Sequence, residues 1–230
     1  MRRVHALAVA AAAVAILPAV SLAQGMGAMD PSHAVAGGGI SVSGWMGKAD
    51  GSASVNDSKF AAEAGGGFHI TTGPAAEYWN PADKASGNYT VKATFTEPKY
   101  MNLNSHPHPY GIFIAGNEVG TDKQSLLYCE AYGDGRFIVR GFGPAAFKMN
   151  GGGEANAAVH KASGAGDKVT QEIAMSVKGD KVECAINGTT VASYDKAAVM
   201  GAGKLTSLDG VYGIRSAHNT EVIVTGFGKQ

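Results

Sequence analysis

The chain of 230 residues balances 19 basic against 19 acidic side chains, is 45% hydrophobic and carries 33 glycines. Lys is scattered singly and no Lys/Arg patch appears, so nucleic-acid binding, which draws most of its affinity from neutralised phosphates, is not expected. The length suits one sandwich or barrel domain with a single core.

The first residues speak to location. Met1 to His5 form a short basic start, Ala6 to Val20 an apolar run, and Ser21-Leu22-Ala23 places small residues at −3 and −1 before Gln24. These are the features signal peptidase reads, so residues 1–23 are expected to be a signal peptide cut after Ala23. The run of about 15 apolar residues falls short of the roughly 20 a membrane-spanning helix needs, and it contains Pro18. No cysteine follows the cut to carry a lipid. No membrane anchor is therefore expected after cleavage, and the mature chain belongs in the periplasm or outside the cell. Loss of Arg2 and Arg3 leaves a net charge of about −2.

Residues 24–38 are small, Gly-rich and aperiodic, a flexible lead-in to a domain spanning 39–230. From Gly39 onward short apolar or alternating runs are separated by Gly, Asn and Asp, and no helical period persists for three turns. Tyr89, Val91, Ala93 and Phe95 alternate with Thr90, Lys92 and Thr94; Val169, Ile173, Met175 and Val177 alternate with Thr170, Glu172 and Ser176. Each run has one face for a core and one for water. Asn187-Gly188 between two such runs predicts a tight type I′ hairpin, and Gly179-Asp180 and Gly133-Asp134-Gly135 predict further turns. A helical turn is expected only over 195–200. The fold class is all-β, an antiparallel two-sheet sandwich.

Two cysteines, Cys129 and Cys184, allow one disulfide in an oxidising compartment; two buried free thiols are the alternative, because sequence does not show whether their Cα atoms come within ~7 Å. Asn56, Asn88 and Asn187 lie in Asn-x-Ser/Thr triplets, glycan acceptors in a eukaryotic secretory pathway, although Asn187 is accounted for by its turn.

Residues 168–227 resemble the closing strands of concanavalin A-like lectin/glucanase jelly rolls, such as laminin G-like modules and 3-keto-disaccharide hydrolase (DUF1080-type) domains. The elements carrying the resemblance are Gln171 to Val177, Val182 to Gly188, Gly203 to Ile214 and Glu221 to Phe227, with GGGFHITTGP (65–74) and YGIFIAGN (110–117) upstream. It implies a jelly roll, and its members include both enzymes and binders.

Glucanases of this fold carry paired acids on one strand as Glu-x-Asp-x-Glu, close enough to act as nucleophile and acid. No such spacing occurs here. Glu130 is the one weak catalytic candidate, since its neighbour Asp134 sits in a turn. Gly201 to Lys204 lacks the spacing of a phosphate loop. In His106-Pro107-His108-Pro109 both imidazoles point the same way on an extended chain and could share a metal if a third His or a carboxylate joined them. Alternating prolines also make a stiff loop with no metal, which is the reading favoured here. No cofactor is expected, with calcium and zinc left open.

A ligand surface follows from alternation. If Leu127, Cys129 and Ala131 face the core, then Tyr128, Glu130 and Tyr132 line the opposite face, with Arg140 on the partner strand beside them; ordinary solvated cross-strand pairs are the competing reading. Tyr78-Trp79-Asn80 before Pro81 forms a second candidate rim on a loop, unless Trp79 plugs the core; Trp45 is expected in the core. The favoured function is an exported, non-catalytic module binding a saccharide. The alternatives are a keto-disaccharide hydrolase using Glu130 with His106 or His108, and an envelope structural protein. N-terminal sequencing of the exported protein is expected to begin at Gln24, and any upstream residue would refute the cut after Ala23.

Overall fold

The computed structural model describes residues 30–230. The expected signal peptide and the first part of the lead-in, residues 24–29, lie outside the described residues. The strands, in chain order, are β1 (Gly39–Ile40), β2 (Met46–Ala49), β3 (Lys59–Ala62), β4 (Phe68–Thr71), β5 (Ala76–Ala85), β6 (Tyr89–Glu97), β7 (Tyr110–Asn117) and β8 (Ser125–Ala131). They continue with β9 (Arg136–Phe142), β10 (Ala146–Lys148), β11 (Glu154–Ala155), β12 (Val169–Lys178), β13 (Lys181–Ile186), β14 (Thr189–Asp195), β15 (Gly210–Ser216) and β16 (Glu221–Lys229). A short helix, α1 (Lys196–Val199), falls where the helical turn was expected, and a single 3-10 turn over Val55–Asp57, capped by the Ser54 side chain, stands where none was expected.

These strands form two sheets. One has the order β1-β3-β4-β16-β6-β12-β13-β14, the other β10-β9-β8-β7-β15-β5-β2 with β11 on the side of β9. The alternation read from the sequence is the reason they stack. Along β6 every second residue from Tyr89 to Glu97 is buried, and its partner β12 turns Ile173, Met175 and Val177 into the same core. From the other sheet Ile112, Leu127, Cys129 and Ile214 meet them. The result is the two-sheet sandwich expected from the residues.

Turn chemistry sets the registers. β13 and β14 pair Ile186 with Thr189, leaving Asn187 (φ 50°) and Gly188 (φ 80°) as a two-residue loop, both in the left-handed region a type I′ turn demands. The Asn187 side chain then bonds the Gln171 Oε1 and the Ala158 carbonyl, so one residue makes the turn and anchors it.

Cys129 on β8 and Cys184 on β13 are joined by a disulfide, with Cα atoms 6.2 Å apart, so the bond crosses the core and ties one sheet to the other. Trp45 is half-buried at the edge of the core, its ring centroid 4.9 Å from Phe60 and 4.6 Å from Phe68. Tyr78-Trp79-Asn80 is not a loop: all three lie within β5, because β15 pairs with this segment on one side and β2 on the other. Replacing both cysteines by alanine is expected to lower stability by about 2–5 kcal/mol, the usual worth of a native bridge that closes a long loop; chemical denaturation of the two proteins checks it, and unchanged midpoints would contradict it.

Candidate functional site

The outer face of the β8-containing sheet carries an unusual set of side chains. Strand register places Lys48, Glu77, Arg215, Gly111, Glu130 and Ile138 in one row across β2, β5, β15, β7, β8 and β9. The next row holds Trp79, Gly213, Phe113, Tyr128 and Arg140. Gly111 separates Arg215 from Glu130. With no side chain there, the Arg215 Nε comes to 4.0 Å of the Glu130 Oε1, and a methyl group at Gly111 would run into the Cys129 carbonyl oxygen.

Arg215 is buried and heavily engaged. Its Nη1 donates to Glu77 Oε2 (2.6 Å) and Asp50 Oδ1 (3.0 Å), and its Nη2 to Asp50 Oδ2 (2.5 Å). The guanidinium also lies over the rings of Tyr128 (4.8 Å) and Phe142 (4.9 Å). One cation thus faces three carboxylates, and the surplus negative charge has a consequence for Glu130, which is only 3% exposed. Burial pushes its carboxyl up to about 8; Arg215 and Arg140 oppose the shift, while Asp50 and Glu77 add to it. Glu130 is therefore mostly protonated at neutral pH and offers an O–H donor as well as acceptors. Burial also raises Glu77, against the pull of Arg215.

Above this row opens a cleft of about 340 Å³. Tyr128, Glu130, Tyr132 and Arg140 all line it, together with His106 and His108. The sequence-derived ligand face and the His-Pro-His-Pro loop are thereby one site. Alternation along β8 is as expected, with Leu127, Cys129 and Ala131 in the main core and Tyr128 and Tyr132 in a separate outer cluster. Tyr128 and Tyr132 are buried, and one face of each ring is taken by a guanidinium, from Arg215 and Arg136 respectively. They serve as walls of the cleft more than as open stacking platforms. Trp79 belongs to the same outer cluster but lines a different depression, with Lys84, Asn117 and Val211. Two polar atoms in the cleft are buried with no hydrogen-bond partner among the described residues: Glu130 Oε1 and Arg140 Nε.

The end wall of the cleft is made by residues from distant segments. The loop before β7 brings His106 and His108, and the turn between β15 and β16 brings His218. These two are stitched together by a bond from the Ala217 amide to the Pro109 carbonyl (2.9 Å). Asn219 in that turn has φ 49°, a conformation Asn tolerates better than most residues. Its side chain donates to the Pro31 carbonyl (2.8 Å) and accepts from the His33 amide (3.0 Å), which draws Asp30 of the lead-in against the histidines. Burial, followed by the neighbouring His218, holds His108 down to about 4, so it is neutral at pH 7. Sequence reasoning missed Arg215, Arg136, His218 and Asp30. The alternation of β15 points Arg215 to the same face as Gly213, a usable signal; nothing local marks Asp30 or His218.

No family model matches the chain, and no curated relative does. Among solved structures, the carbohydrate binding module CBM66 from Bacillus subtilis is similar over 84% of this chain and 99% of its own, at 8% identity and TM-score 0.55. A Bacillus subtilis protein of unknown function with a galectin-like fold covers 81% of this chain and 88% of its own, at 11% identity and TM-score 0.48. Sheep galectin-11 covers 64% and 93% respectively, at 11% identity and TM-score 0.44. The fold is that of the lectin/glucanase jelly rolls.

The raised carboxyl of Glu130 makes stability pH-dependent. Between about 4.5, where the unfolded carboxyl ionises, and about 8, the native state holds a proton that the unfolded chain has released, so stability falls as pH rises through this window. In Glu130→Gln that contribution is gone, and its melting temperature is expected to fall less between pH 5 and pH 9 than that of the parent; parallel curves would show that Glu130 ionises normally.

Proposed function

We propose that this jelly roll is an exported binding module whose ligand is a saccharide, held in the cleft over β8 and β9. The observation carrying this reading is the pair of unpartnered buried groups, Glu130 Oε1 and Arg140 Nε, lining one cleft between Tyr128 and Tyr132. Leaving a buried donor or acceptor unsatisfied costs about 1–3 kcal/mol. A ligand hydroxyl, both donor and acceptor, satisfies either atom once its side chain turns to the cleft surface. The tyrosine walls supply apolar surface against the C–H faces of a sugar ring. Arg215, held by Asp50 and Glu77, fixes the floor without itself needing a ligand. The jelly-roll fold, shared with a carbohydrate binding module, is consistent with this use, and the leader sequence supports export.

A second reading rests on the protonated state of Glu130. A carboxyl that keeps its proton to about 8 is poised as a general acid at neutral pH, and it shares the cleft with His106 and His108. In this reading the chain is a glycan-processing hydrolase, as the resemblance to keto-disaccharide hydrolases suggests.

A glycan array, followed by calorimetry on each hit, separates these readings. Arg140→Ala and Tyr132→Ala are expected to weaken saccharide binding about tenfold or more, as loss of a central contact does; Arg140→Ala keeps a melting temperature near that of the parent, while Tyr132→Ala, which removes a buried ring, lowers it. Turnover of the bound saccharide, abolished in Glu130→Gln with binding retained, would promote the hydrolase. A folded protein silent across the array would refute the binding-module reading.

A further inference from the structure

We infer that Asp30, His106, His108 and His218 form a binding site for one first-row divalent cation of the zinc or copper kind, set in the end wall of the cleft. Each of the four offers one donor atom, and these atoms all lie within 4.8 Å of one another. Tetrahedral ligands at about 2.0–2.1 Å from a metal stand about 3.3 Å apart, so small rotations of side chains close the cage. The closest pairs are already near that spacing: His108 Nε2 is 2.9 Å from His106 Nε2 and 3.7 Å from Asp30 Oδ2.

The proton inventory favours a cation at the centre. His108 Nδ1 faces the His218 carbonyl oxygen, an acceptor only, with the Asn104 Nδ2 farther off at 3.3 Å; the nearer carbonyl calls for a proton on Nδ1, which donates it there. The Nε2 of His108 therefore presents a lone pair to the cluster. This is the arrangement by which a carbonyl outside a metal site sets the tautomer and orientation of a ligating imidazole. An N–H on His106 Nε2 could satisfy that lone pair, but it leaves the carboxylate unserved: Asp30 Oδ2 is buried and accepts no hydrogen bond from any described residue. Its side chain is only 9% exposed. One cation satisfies both imidazole lone pairs, the carboxylate oxygen and His218 together.

Placement points the same way. The ligands come from three segments separated by long stretches of chain, and the fold spends dedicated bonds on gathering them: Asn219 to Pro31 and His33, Ala217 to Pro109, and the Asn104 Nδ2 to the Asn219 carbonyl (2.9 Å). A nitrogen-rich set of this kind suits zinc, copper or nickel over calcium and magnesium, which prefer all-oxygen shells. Because His106, His108 and His218 also line the cleft, a bound cation would present its open side to the ligand that Glu130 and Arg140 contact.

The test is calorimetric titration of the exported chain, purified without a histidine tag and stripped with chelator, using zinc chloride, copper sulfate and calcium chloride, with metal analysis of the unstripped protein. One equivalent of zinc or copper per chain is expected, and no calcium uptake. Exposed His106→Ala, which keeps the buried His108 in place, should weaken binding at least tenfold, as should Asp30→Asn, while His160→Ala, outside the cluster, should not. Cobalt(II) should give the intense visible bands of a tetrahedral site in the parent and lose them in His106→Ala. Substoichiometric uptake, or binding equal in parent and His106→Ala, would overturn the site. These readouts involve no saccharide, so they stand or fall apart from the carbohydrate reading.

Discussion

The candidate site depends on one buried cation, Arg215. It projects from the middle of its sheet, takes Asp50 and Glu77 in direct hydrogen bonds, and lies over Tyr128 and Phe142. Guanidinium is suited to this because its planar fork bonds carboxylates on its edge while its face stacks on aromatic rings. A buried ion pair of this kind is not in itself a large source of stability, since desolvation offsets much of the attraction. Its effect here is positional: it holds β2, β5 and β15 in register and leaves Glu130, at 4.0 Å, as the carboxyl not fully neutralised.

That imbalance is what gives the cleft its chemical character. Burial, with two carboxylates already on Arg215, keeps the third neutral, and Glu130 becomes a proton-bearing group with an unpartnered oxygen. The floor is closely packed: no Cβ fits at Gly111 or Gly213, and the cluster of Phe113, Leu126 and Tyr128 packs around it. Binding groups that are locked before a ligand arrives lose little entropy on binding it.

A second hub lies at the turn between β15 and β16. Thr72 and Thr220 bond each other through their hydroxyls (2.9 Å), and the Asn219 amide reaches the Gly73 carbonyl (3.0 Å), so the turn is anchored to the segment between β4 and β5. From that anchor Asn219 secures the segment after residue 30 and presents His218 to the His-Pro-His-Pro loop. The disulfide between Cys129 and Cys184 reinforces the same sheet from beneath, bonding the core side of β8 to the facing sheet.

The sequence by itself determined the fold class, the strands with strict alternation and the Asn187-Gly188 hairpin, because a period of two and a positive φ are local properties written residue by residue. It also determined which face of β8 carries Tyr128, Glu130 and Tyr132, for the same reason. It misplaced Tyr78-Trp79-Asn80, since Asn80-Pro81 reads as a loop signal while pairing with β15 and β2 makes it strand. Only the tertiary structure decided that the two cysteines meet, that His106 and His108 gain His218 and Asp30, and that Arg215 sits between three carboxylates. Those contacts join residues far apart in the chain, and their existence depends on strand order and register, which no short stretch of sequence encodes.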